Sequence, residues 1–94
     1  MELILEVEKD GKYKLVAELT KARDYGIIQL SVDGVKLGEP IDLYNPEVVP
    51  TGAMEVGTVD LKAGKHVVQI EIVGKNEQAA PGYMVGVDQL YFVQ

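Results

Sequence analysis

The chain has 94 residues, a formal charge of −6 and no cysteine. A chain this short holds one domain, 1–94, with no disulfide framework or thiolate metal site, and its acidic balance excludes a basic, phosphate-tracking surface for nucleic acid. Hydrophobic residues at 47% and charged residues at 26% exclude wholesale disorder.

The only approach to a basic cluster, Lys9, Lys12 and Lys14, is interleaved with Glu6, Glu8 and Asp10. No apolar run nears the roughly 20 residues that span a bilayer. The opening MELILEVEKD is acidic where a signal peptide is basic. The expectation is a soluble chain, with no signal peptide and no nucleic-acid or membrane partner.

Leu3, Leu5 and Val7 alternate with Glu2, Glu6 and Glu8, with Ile4 the exception, which predicts a first strand with one wet face. Asp10-Gly11 ends it. A second strand over 12–20 sets Tyr13, Leu15, Ala17 and Leu19 on one parity, with Val16 breaking the polar side. Residues 21–25 read as a polar loop and 26–32 as a third strand carrying Ile28, Leu30 and Val32. Asp33-Gly34 tolerates the positive φ of a two-residue type I′ hairpin turn, so 35–37 should pair back on 30–32. Gly38-Glu39-Pro40 is expected to interrupt, and 41–44 to resume as a separate short strand.

The stretch 45–52, NPEVVPTG, holds two prolines and is expected to be the longest irregular connection, the kind of segment in which binding residues concentrate. Residues 54–61 return to strand with an irregularity at Gly57. After Ala63-Gly64, Val68, Ile70 and Ile72 share a parity against Gln69 and Glu71. Residues 75–82 read as a polar loop and 83–93 as a final strand with a bulge near Asp88. About eight short strands and no helix predict an all-β fold, an antiparallel β-sandwich. A weak echo between Gly11-Lys12 with Leu15 and Gly64-Lys65 with Val68 suits a jelly roll.

In order along the chain, EVEKDGKYKLVAELT, SVDGVKLGEP, GTVDLKAGKHVVQIEIVG and VGVDQLYF resemble the later strands of carbohydrate-binding modules of families six and thirty-five. TKARDYGIIQLSVDG and DLYNPEVVPTG are similar, more closely, to jelly-roll domains appended to secreted bacterial glycoside hydrolases, including the difructose-anhydride type. The resemblance implies a non-catalytic jelly roll from a secreted parent, a glycan partner bound by loops at one end, and often a structural calcium ion.

Sugar modules present an aromatic face beside carboxylates or amides. Asp24, Tyr25, Tyr44, Asn45 and Tyr83 supply those types in or beside predicted loops. The competing reading makes Tyr25 and Tyr44 strand-end covers of the core edge and Asp24 and Asn45 turn formers. His66, the single histidine, has no Ser or Cys nucleophile at a recognisable spacing and reads as a half-buried strand residue. The alternating carboxylates read as a wet sheet face, not as a facing pair in a glycosidase cleft, so no catalytic residue is expected. Asp33-Gly34 and Asp88 lack the dense oxygen-ligand spacing of a calcium loop, so no metal or cofactor is expected.

The rival reading is a structural or assembly domain, natural or engineered, that self-associates through an exposed sheet edge or face and has no small-molecule ligand.

Overall fold

The computed structural model describes residues 1–74 and 86–94. Among the described residues seven strands run in sequence: β1 (Glu2–Val7), β2 (Gly11–Lys21), β3 (Ile27–Val32), β4 (Val35–Asp42), β5 (Val49–Leu61), β6 (Gly64–Gly74) and β7 (Gly86–Val93). They form two antiparallel sheets, one ordered β1-β6-β3-β4 and the other β5-β2-β7. The fold is an all-β sandwich.

Period-two alternation places the core. Tyr13, Leu15, Ala17 and Leu19 of β2 face Ile28, Leu30 and Val32 of β3 and Val68 and Ile70 of β6, and all are buried in one apolar cluster. Burying a side chain of this size stabilises by roughly 1.5–3 kcal/mol, and that gain is available only when the second sheet closes over the first.

The two short pieces expected over 35–37 and 41–44 are one strand, β4, which accounts for seven strands where about eight were expected. Gly38 adopts φ +72° and the register against β3 slips between Ile28 and Leu30, so Gly38-Glu39-Pro40 bulges outward without ending the pairing. Gln29 holds the bulge: its buried amide nitrogen donates to the carbonyls of Leu30 (3.0 Å), Gly38 (3.1 Å) and Leu37 (3.3 Å). A Cβ on Gly38 would sit 2.4 Å from the Val56 carbonyl oxygen, so this close approach to β5 requires glycine.

The irregular connection is shorter than expected, because β5 already begins at Val49 and takes in Pro50 and Gly52. Proline is tolerated here because β5 is an edge strand. The register slips between Leu19 and Thr20, and Thr51 compensates by accepting the Leu19 N–H on its hydroxyl at 3.0 Å. The irregularity at Gly57 is present as a second slip, opposite Leu15 and Val16.

The bulge near Asp88 is present too. It faces Glu18 and Leu19, and the Asp88 carboxylate accepts a bond from the Thr20 hydroxyl at 2.9 Å. Asp33 (φ +50°) and Gly34 (φ +85°) make the expected turn, and Val35 and Leu37 pair with Val32 and Leu30. The readings of 75–82 as a loop and of 83–85 as strand lie outside the described residues.

Candidate functional site

Because consecutive strands alternate in direction, the connections divide between two ends. At one end β2 passes to β3 through 22–26, β4 passes to β5 through 43–48, β6 ends and β7 begins. We call it the loop end. The turn end carries 8–10, 33–34 and 62–63.

At the loop end the two described connections are laced by main-chain bonds. Ala22 N–H donates to the Leu43 carbonyl at 3.0 Å, Leu43 N–H to Gly26 at 3.1 Å, and Asn45 N–H to Ala22 at 3.2 Å. Ala22 and Tyr44 form an isolated parallel bridge. Fully buried Leu43 and buried Ala22 plug the sandwich beneath. This base brings Asp24-Tyr25 and Tyr44-Asn45 to the same end of the fold. Tyr83 lies outside the described residues.

The four side chains are employed differently. Tyr25 is half-buried against the core and crosses the start of β7, where a Cβ on Gly86 would stand 2.8 Å from its ring and 3.2 Å from its hydroxyl. Tyr44 is half-buried and is not part of the core cluster. Its N–H donates to Asp42 Oδ1 at 2.9 Å, and Asn45 Oδ1 accepts the Glu47 N–H at 2.9 Å, two Asx turns in succession. Asp24 is half-exposed in its turn. Both tyrosines are partly exposed, and they differ in that Tyr25 packs against the core cluster and Tyr44 does not.

A cleft of about 440 Å³ adjoins this end between β4 and β5, lined by Lys21, Glu39, Ile41, Asp42, Met54 and Glu55 among others. Sequence pattern does not show it, since its walls come from the edge strands β4 and β5 with Lys21 at the end of β2, a juxtaposition that no local signal announces. Among the described residues no three His, Asp or Glu side chains gather as a metal site, and no helix is long and apolar enough to cross a membrane.

The turn end holds a histidine hydrogen-bonded through both of its ring nitrogens. His66 sits on β6 with its side chain 12% exposed, Nδ1 2.6 Å from Asp33 Oδ2 and Nε2 2.7 Å from the Lys62 carbonyl oxygen. The Lys62 carbonyl and the ionised Asp33 carboxylate both accept, so the protonated ring can donate from both of its nitrogens at once. The hydrogen bond to Asp33, then the one to Lys62, raises the His66 pKa above its ordinary 6.5, against the opposing effect of burial. The bond from His66, then the one from the Val67 N–H, lowers Asp33 below its ordinary 3.8. The ring ties the β3–β4 turn to the β5–β6 turn, a structural employment consistent with a half-buried strand histidine.

No protein-family model matches the chain, and no curated protein matches it in sequence. Among solved structures it is similar to a xanthan lyase from Paenibacillus, with a TM-score of 0.86 and 25% identity over 98% of this chain. The chain spans only 9% of the length of that lyase, so what it is similar to is a minor part of a polysaccharide-degrading enzyme.

Proposed function

We propose that this chain is a single-domain, jelly-roll accessory module of the carbohydrate-binding type, carried by a secreted polysaccharide-degrading enzyme and itself non-catalytic. The observation that carries the reading is the likeness over 98% of this chain to a 9% portion of a xanthan lyase, a size relation that suits an appended domain. The residue chemistry of the loop end agrees with it. Tyr44 offers an aromatic face, Asp24 and Asn45 offer hydroxyl-binding groups, Tyr25 frames the site, and Tyr83 joins them in the proposed set. Aromatic stacking beside a few polar groups is how a neutral ring with apolar C–H faces is held.

Isothermal titration with xanthan fragments and a glycan panel, calcium present, tests this. We expect binding that weakens about tenfold in Tyr44→Ala, the loss of one stacking contact of roughly 0.5–1.5 kcal/mol with its buried area. No heat at millimolar sugar across the panel rejects the reading.

A further inference from the structure

Each sheet has two edges, and three of the four are blunted. β4 carries the Gly38-Glu39-Pro40 bulge, β5 carries Pro50 and two register slips, and β7 carries the slip at Asp88. β1 differs. Its six residues pair with β6 in unbroken register from Glu2 opposite Gln69 to Val7 opposite Gly64, without proline or bulge. Among the described residues no strand pairs with its other side.

The polarity of that edge follows from the ladder. Met1 and Ile70 exchange both main-chain bonds, at 3.1 and 2.8 Å. Antiparallel pairs alternate between bonded and non-bonded, so Leu3, Leu5 and Val7 spend their backbone groups on β6. Glu2, Ile4 and Glu6 aim theirs outward. Their side chains lie on the outer face of the sheet, where Ile4 is 67% exposed. The inner-parity Leu3 and Leu5 are only half-buried. Beside them a cleft of about 400 Å³ opens between β1 and β7, lined by apolar Leu5, Val7, Tyr13 and Phe92 and by the carboxylates Glu6 and Glu8.

A second copy is the wrong occupant. The antiparallel register that pairs all of β1 with itself centres on Ile4 and sets Glu2 of each copy opposite Glu6 of the other. Like charges directly opposed destabilise a sheet pair. β6 already shows the favourable complement along the paired edge of β1, with Lys65 opposite Glu6 and Gln69 donating to Glu2 at 2.8 Å.

We infer that β1 is a docking edge for an extended strand of another polypeptide in which basic residues, two positions either side of a central one, face Glu2 and Glu6, and apolar residues between them cover Leu3, Leu5 and the β1–β7 cleft. Main-chain bonds to Glu2, Ile4 and Glu6 supply the affinity and the alternation supplies the specificity. The inference is independent of glycan binding at the loop end.

The probe is acetyl-Lys-Val-Thr-Val-Lys-amide titrated into ¹⁵N-labelled protein. We expect shift changes confined to β1 and the adjoining β7 flank, slowed amide exchange at Glu2, Ile4 and Glu6, and no response to the peptide with glutamate for lysine. Ile4→Pro should abolish binding with the circular dichroism spectrum unchanged, because the Ile4 N–H faces outward and makes no ladder bond to lose. Should that variant unfold, Glu2→Lys/Glu6→Lys gives the same information by reversing the preference to the acidic peptide. Equal response to both peptides, shifts centred elsewhere, binding retained in folded Ile4→Pro, or a dimer of the free protein formed through β1 would overturn the inference.

Discussion

The turn end and the loop end of the sandwich are fixed by different parts of the chain. At the turn end side chains cross-link neighbouring connections: Asp10 accepts the Ala63 N–H at 2.7 Å, Asp33 accepts from Val67 and His66, and His66 donates onward to Lys62. Residue identity is therefore committed to structure there. At the loop end the bonds between connections are main chain to main chain, among Ala22, Gly26, Leu43 and Asn45. Outward side chains on such a base can change without loosening it, which is the condition under which a loop acquires a binding role on a rigid scaffold.

Leu43→Ala is the substitution that tests this contrast hardest. Leu43 is fully buried and its N–H and C=O both belong to the lacing. Removing the side chain should cost about 2–5 kcal/mol in urea denaturation, the range for a buried leucine whose site relaxes little. A loss under about 1 kcal/mol would mean that the main-chain bonds hold the loops without the plug beneath them.

The sandwich was legible because its signals are local. Period-two alternation in β2, β3 and β6 and the Asp33-Gly34 turn are each written within a few residues. The misreadings at 38–40 and 45–52 share one physical cause. Glycine and proline read as strand breakers in the sequence, yet β4 and β5 are both edges and absorb them as bulges. Edge position is a property of the assembled sheet, and no stretch of sequence states it. The sequence left open whether Asp24, Tyr25, Tyr44 and Asn45 meet; they share an end because the β2–β3 and β4–β5 connections do, which depends on how the strands alternate in the assembled fold. The His66–Asp33 pair could not be foreseen, since its partners are 33 residues apart and meet only through the β3–β6 register.

That pair makes the turn end the pH-dependent one. A histidine raised in the folded state contributes fully below its ordinary 6.5, and the contribution is lost as pH rises through the raised value. A lowered carboxylate contributes fully above its ordinary 3.8 and is lost as pH falls through the lowered value. The pair is thus most stabilising between those two ordinary values. Its worth is modest, because the Asp33 side chain is 46% exposed to screening solvent. Asp33→Asn keeps a residue that tolerates positive φ and an oxygen for the Val67 N–H, and replaces the charged acceptor of the His66 bond with an uncharged amide NH2. From about pH 5 to about pH 9 the unsubstituted protein should lose up to about 1 kcal/mol more than the variant, read from paired urea midpoints. Parallel profiles would show that the His66–Asp33 pair carries none of the pH dependence.

Asn45→Ala should have the smallest effect on stability and is the sharpest probe of the loop end. The lost bond, Asn45 Oδ1 to the Glu47 N–H, is exposed, and water replaces it, so the cost should be about 0.5 kcal/mol or less. The Asn45 N–H still reaches the Ala22 carbonyl in the variant, because that bond is main chain on both sides. If the loop end is a scaffold with replaceable side chains, the urea midpoint stays nearly constant while affinity for any glycan that binds there falls. A large loss of stability would place Asn45 with Asp33, among residues whose identity the fold itself requires, and the contrast between the two ends would disappear at this position.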